Sequence, residues 1–156
     1  MSILTISSFI TTGIITHILC PEILVKSVTT ISSGLVSSLS YLVTISYDKE
    51  LMQILLSTDI INDIKIIKNF LDENNITNIE NKTVIECIND INETLKNLEN
   101  IIKNITEKIE YNKSLWFSYF RKYNLHQDRE DLKILINQLE HRFNLLIKFY
   151  SITKKY

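Results

Sequence analysis

Apolar residues recur at alternating steps of four and three positions from Val84 to Ile109, and this spacing limits the fold more than any other feature. A β-strand repeats every second residue, so the spacing fits one long helix with a narrow apolar seam. We predict this helix over residues 83–112, with Thr83 and Glu86 in capping-box spacing at its start. The seam comprises Val84, Ile88, Ile91, Leu95, Leu98, Ile102, Ile105 and Ile109.

A second long helix is predicted over residues 128–151, where the same spacing returns. Acidic residues crowd its start and basic residues its end, which suits the helix dipole. Extra apolar residues flank its seam, so we expect it to be buried on a wider face than the first long helix. The two helices should form an antiparallel hairpin. The second seam comprises Leu132, Ile136, Leu139, Phe143, Leu146 and Tyr150.

The segment before the hairpin is also predicted to be helical. Apolar stripes over residues 48–74 indicate one or two helices, with a possible N-cap at Ser57, Thr58 or Asp59 between the stripes. The polar run 72–81 is the predicted loop. We therefore predict an all-α protein, a four- or five-helix bundle with a long C-terminal antiparallel helical hairpin.

Between the two long helices lies an aromatic segment, residues 115–123, which should form the elbow of the hairpin. Its rings, next to Lys113, Arg121 and Lys122, resemble the aromatic belt of a membrane interface. Alternatively, the rings close the open end of a helical bundle. The aromatic elbow comprises Trp116, Phe117, Tyr119 and Phe120.

Charge is distributed very unevenly along the chain. Residues 1–47 carry two charged side chains, Glu22 and Lys26, whereas residues 48–156 carry the other 33. The uncharged stretches 2–21 and 27–47 are each about as long as a membrane span, but seventeen Ser and Thr in residues 1–46 lower their hydropathy. We therefore separate a Ser/Thr-rich segment, 1–47, from a helical bundle, 48–156.

The N-terminal segment has helical periodicity, with a break at Pro21. Its polar side consists of hydroxyls instead of charges, as in lipid-packing sensor helices that bind membranes by apolar insertion. Its alternative role is burial, in which these helices form the centre of the bundle. The candidate membrane-contact residues are Ile3, Ile6, Phe9, Ile10, Ile14, Ile18, Val28, Ile31, Leu35, Leu39, Leu42 and Val43.

No catalytic, metal or cofactor motif is present in the sequence. Cys20 and Cys87 match no zinc or redox spacing, and His17 one turn from Cys20 lacks a third ligand nearby. There is no glycine-rich phosphate loop. We therefore expect a protein that is not an enzyme and holds no metal or cofactor, with free thiols in a reducing intracellular compartment.

Composition bears on the source and the partners. The chain has 28 Ile, 15 Asn and no Ala, which is typical of AT-rich coding sequences in some protists and large DNA viruses. A net charge of −1 argues against a nucleic-acid partner. A membrane and a virus particle are the two locations that these features suggest.

The C-terminal half resembles HeLo-type four-helix bundles. The resemblance lies in the order of the long helix, the aromatic elbow and the segment 135–146, where Arg142 and Phe143 follow an apolar position at the family's rhythm. The family includes the N-terminal domain of mixed-lineage kinase-like pseudokinases and fungal cell-death effectors. The resemblance implies a helical bundle whose apolar N-terminal helix disrupts membranes, as in the fungal members. The basic clusters of the pseudokinase bundles have no counterpart in residues 1–47, which offer only Lys26.

Two functions follow as hypotheses. The first is a non-enzymatic, membrane-associating bundle that contacts lipid through its uncharged N-terminal segment, which is released from the bundle. The second is a soluble interaction or structural module, for example of a large virus particle, that pairs with a helical protein partner through its heptad seams. A homo-oligomer is compatible with either hypothesis.

Overall fold

The computed structural model describes residues 20–74, 76, 80–115 and 124–154. Within these ranges the chain forms five α-helices and no β-strand, which confirms the all-α prediction. The residues of the aromatic elbow and residues 1–19 lie outside the described ranges. The helices are α1 (Pro21–Ile45), α2 (Lys49–Ser57), α3 (Ile60–Glu73), α4 (Lys82–Ser114) and α5 (His126–Thr153).

Helices α1 and α4 run parallel to each other. Near the start of both, the Ser27 hydroxyl donates a hydrogen bond to Oδ1 of Asn92 over 2.8 Å. Toward the end of both, the Tyr41 hydroxyl donates to Oε1 of Glu110 over 2.7 Å. The two contacts join residues that are 65 and 69 positions apart, so the helices keep nearly the same register along their shared length.

Helices α4 and α5 form the predicted antiparallel hairpin. Lys108, late in α4, forms an ion pair with Asp128 at the start of α5, with 2.7 Å between Nζ and Oδ2. Arg142, late in α5, donates to the side chain of Thr94, early in α4. Helix α3 runs parallel to α5, since Phe70 near its end packs edge-to-face on Tyr150 near the end of α5.

The four long helices enclose one core. Helix α1 packs on α3 and α4, α4 packs on α5, and a smaller contact between α3 and α5 closes the ring, so α1 and α5 are diagonal. We call the end with Cys20, Asn74, Lys82 and Thr153 the entry end. The other end, where α1 and α4 finish and α5 begins, is the elbow end, and the short helix α2 lies there.

The core extends through all five helices, including α1. Leu35, Leu39 and Leu42 of α1 are at most 1% exposed, as deeply buried as the seam of α4. Helix α1, the C-terminal part of segment 1–47, therefore has its apolar face buried in the bundle core, which is the second of the two predicted roles of this segment. The full core seam of α4 is buried as predicted, at Val84, Ile88, Ile91, Leu95, Leu98, Ile102, Ile105 and Ile109.

Two predictions about the long helices are wrong. Helix α4 begins at Lys82, one residue before the predicted start. Its N-cap is Asn81 and not Thr83, because Oδ1 of Asn81 accepts hydrogen bonds from the amides of Thr83 and Val84. Helix α4 also has the wider buried face, with eleven buried residues against five in α5. The reason is topological, because α4 packs extensively on two helices, α1 and α5, whereas α5 packs extensively only on α4.

The segment 48–74 forms two helices, which decides between the two predicted options. Asp48 caps α2 through a bond from the Leu51 amide to its side chain. Asp59 separates α2 from α3 in a left-handed conformation, with φ of 48°, and makes no side-chain cap bond. Asp tolerates this conformation better than most residues. Asp59 therefore occupies the N-cap position, as one of the three predicted candidates, but it makes the turn without capping through its side chain.

Candidate membrane-contact surface

Helix α1 is the one helix in the described ranges that is long and apolar enough to cross a membrane. It has 25 residues, and its most apolar 18-residue window has a mean hydropathy of 1.4. Only 28% of that window is buried in the bundle. Core helices of soluble proteins also meet this criterion, so the surroundings of α1 must be considered next.

The α1 candidates for lipid contact face the core. Val28, Leu35, Leu39 and Leu42 are at most 1% exposed, and the partly buried Ile31 and Val43 pack against the same core. In this conformation the four buried residues could contact lipid only if α1 left the bundle, whereas Ile31 and Val43 are partly exposed. The other candidates, Ile3, Ile6, Phe9, Ile10, Ile14 and Ile18, lie outside the described residues.

After Lys26, every exposed residue of α1 except Gly34 carries a hydroxyl, and several of these hydroxyls are hydrogen-bonded within the helix. The hydroxyls of Ser33, Ser37 and Ser40 donate to carbonyls four residues earlier in the same helix, over 2.7–3.2 Å. Thr29 and Thr44 donate to carbonyls three residues earlier. A hydroxyl bonded in this way needs less hydrogen bonding from water, so the face tolerates a low-dielectric neighbour better than a charged face would.

This outward side is free of charge over most of its length. After Lys26, the next charged residue in the sequence is Asp48. The charges nearby belong to α4, where Glu99, Lys103 and Glu107 border a groove of about 450 Å³ along α1. The sequence predicted the uncharged hydroxyl face correctly, whereas the charged border from α4 appears only in the folded structure.

Three buried polar groups were not singled out from the sequence. Asn92 pairs with Ser27, and Thr94 accepts a hydrogen bond from Arg142. Ser32 of α1 is fully buried, and its hydroxyl has no hydrogen-bond partner in the described part of the protein. The first two groups fix the register of α1 and α5 on α4, and Ser32 reduces the stability of the α1 packing.

The titratable groups do not assemble into a reactive site. Among the described residues, no group of three His, Cys, Asp or Glu side chains is placed to hold a metal ion. Cys87 is buried, and burial, followed by the nearby carboxylates of Asp90 and Glu86, raises the pKa of its thiol. A raised pKa disfavours the reactive thiolate. Both described cysteines are free.

The chain matches no protein-family model, no curated protein and no solved structure. The resemblance of the C-terminal half to HeLo-type bundles therefore stays a prediction.

Proposed function

We propose that this protein is a non-enzymatic helical bundle that associates with membranes through its uncharged N-terminal segment. The observation that carries the proposal is the division of that segment. Its second half, α1, is a wall of the bundle with a hydroxyl outer face. Its first half, residues 1–19, contains no Asp, Glu, Lys or Arg and repeats isoleucine at helical spacing. We assign lipid contact to residues 1–19, by insertion into the membrane interface.

The energetics favour a mechanism in which α1 stays in place. If α1 left the bundle for lipid, its own apolar side chains would remain covered, but the inner faces of α3 and α4 would meet water. Exposing four large side chains costs roughly 6–12 kcal/mol. That is about the whole net stability of a domain of this size, roughly 5–15 kcal/mol. Lipid contact by residues 1–19 leaves this packing of α1 on α3 and α4 in place.

The outer face of α1 is compatible with this arrangement because the helix itself brings no charge to that face after Lys26. Residues 27–47 contribute no charge, and the hydroxyls of Ser33, Ser37 and Ser40 are bonded within the helix. Glu22 and Lys26, which are paired with each other, separate this face from residues 1–19 in the sequence, and only residues 1–19 carry the isoleucine stripe that we propose inserts.

The alternative, a module that pairs with a partner helix through its heptad seams, has less support. The seam of α4 is covered by the chain's own helices, and most of the α5 seam is covered as well. A partner helix could use these seams only by displacing part of the core. No described residue gives a specific reason to favour that exchange.

The direct test is vesicle flotation of the full chain with neutral phosphatidylcholine. Replacing Ile10 and Ile14 together with Glu places charge on the isoleucine stripe, and we expect vesicle binding to fall by at least about tenfold. The matched control replaces Ser8 and Thr12 with Glu, which by helical spacing lie on the opposite side of the same segment. We expect the control to bind nearly as well as the unmodified chain.

Two results would contradict the proposal. One is that the unmodified chain stays unbound at every lipid concentration tested. The other is that the two double variants bind equally well, because insertion of the isoleucine stripe could then not be the cause. Circular dichroism of each protein shows whether the helical bundle is intact in the comparison.

A further inference from the structure

We propose that the bundle docks end-on, with its entry end against the bilayer, an inference that rests on the membrane association proposed above. Residues 1–19 precede Cys20, which lies directly before α1 at the entry end. If those residues insert into lipid, the entry end is held close to the membrane by the chain itself. The partner of this end is a lipid surface.

Two exposed isoleucines at the entry end fit such a contact. Ile23, in the first turn of α1, is 51% exposed, and Ile152, in the last turn of α5, is 49% exposed. The hydrogen bond from the Tyr150 hydroxyl to the Asn74 carbonyl holds the end of α5 at the end of α3. Both isoleucines therefore lie within a turn or two of the same end.

The positions of these isoleucines separate end-on docking from docking on a side. Helices α1 and α5 are diagonal in the bundle, so no single side presents both Ile23 and Ile152. A membrane lying along α1 would contact Ile23 but not Ile152, and a membrane lying along α5 would do the reverse. Of these three orientations, end-on docking is the one that places both residues within a turn or two of the membrane.

The charges at the entry end are of both signs. Lys26 is paired with Glu22 over 2.7 Å, and Lys82 lies 4.0 Å from Glu86. These two lysines thus face carboxylates of their own helices, whereas the exposed Lys154 lies over the ring of Tyr150. The exposed Glu73 and Glu80 lie at the same end, so its charges are of both signs and do not form a purely basic patch that would select anionic headgroups. We expect binding to phosphatidylcholine vesicles and to vesicles with added phosphatidylserine to agree within about threefold.

The elbow end is a second exposed surface that lies far from the proposed contact with lipid. Helix α4 has 33 residues, which corresponds to about 50 Å between the ends of the bundle. Tyr47 lies at the elbow end and is 82% exposed, with Lys113 over its ring. In end-on docking through the entry end, Tyr47 stays far from lipid.

The test uses Glu substitutions at single exposed positions of the full chain in vesicle flotation. For Ile23→Glu and for Ile152→Glu we expect binding about fivefold to tenfold weaker than that of the unmodified chain. The controls are Ile66→Glu on α3 and Ile134→Glu on α5, whose side chains are 45% and 53% exposed and lie away from the ends. We expect the controls to bind within about twofold of the unmodified chain. Because all four positions are exposed, thermal melts should be similar.

Each other outcome overturns the inference in a recognisable way. If Ile134→Glu or Ile66→Glu weakens binding as much as Ile152→Glu, a side of the bundle contacts the membrane. If Tyr47→Glu weakens binding and the entry-end variants do not, the elbow end is the contact. In either case the membrane association itself stands. If the unmodified chain fails to bind, both the docking and the proposed function are wrong.

Discussion

At the scale of single residues, Asp63 shows how the fold changes the chemistry of a side chain. It lies on α3 beside a pocket of about 220 Å³ that it shares with Glu140 of α5. Partial burial raises its pKa, and the negative charges of Asp59 and Glu140 raise it further. The unfolded chain therefore loses this proton at a lower pH than the folded protein does, so Asp63 lowers stability as pH rises above about 3.9.

We therefore expect Asp63→Asn to stabilise the protein at pH 7, by about 0.5 kcal/mol. The gain should disappear near pH 3, where Asp63 is protonated in both states. Thermal melts of the two proteins at both pH values measure this difference. Asp72→Asn, an exposed change on the same helix, serves as the control. A gain of equal size at both pH values would show that charge is not its cause.

Ser32 is the residue whose removal should help the fold. Its hydroxyl is fully buried without a partner in the described structure, and such a group costs about 1–3 kcal/mol. Ser32→Ala should therefore raise the free energy of unfolding by about 1 kcal/mol. The neighbouring exposed Ser33→Ala should change it by less than about 0.5 kcal/mol. A clear loss of stability in Ser32→Ala would mean that the hydroxyl has a partner after all.

At the scale of elements, the sequence predicted what depends on neighbours along the chain. The repeat from Val84 to Ile109 predicted α4 to within two residues at either end. It did not predict that α4 has a wider buried face than α5, because burial depends on how many helices pack on each. The spacing of α1 likewise predicted its apolar face. It did not predict whether lipid or other helices cover that face, because lipid and a protein core select the same side chains.

The contact that ties α2 to α5 is an ion-pair cluster that no local pattern predicted. Arg129 is 14% exposed and contacts Asp48 over 2.8 Å and Glu50 over 2.6 Å. Arg129→Ala would leave the half-buried Asp48 without its cation, and we expect a loss of about 2–3 kcal/mol. Lys133→Ala removes an exposed pair with Glu130 and should cost less than about 0.5 kcal/mol. Urea denaturation compares the two, and equal midpoints would contradict the structural role of the cluster.

At the scale of the whole molecule, the boundary near residue 47 in charge is not a boundary in packing. Residues 1–47 differ from the rest in composition, yet α1 packs on both α3 and α4. The candidate site is thus divided between a wall of the core and residues that precede it. Sequence reasoning could identify the uncharged segment but not this division, which depends on the tertiary contacts of Leu35, Leu39 and Leu42.

If α1 is integral to the bundle, Leu39→Ala should destabilise the entire protein. Leu39 is 1% exposed, and such a truncation in a core costs about 2–5 kcal/mol. We expect one cooperative transition at lower temperature in a melt followed by circular dichroism. Ser37→Ala, on the outward side of the same helix, should leave the transition nearly unchanged. Two separate transitions in Leu39→Ala would indicate that α1 is a detachable unit.

Amide hydrogen exchange of the full chain, with and without phosphatidylcholine vesicles, tests most directly whether lipid contact leaves the bundle intact. We expect vesicles to slow exchange in residues 1–19 and to leave the exchange of α3, α4 and α1 beyond its first turn unchanged, because lipid contact leaves the bundle intact. Faster exchange in α3 and α4 would show that α1 leaves the bundle. No change in residues 1–19 would contradict the lipid contact itself.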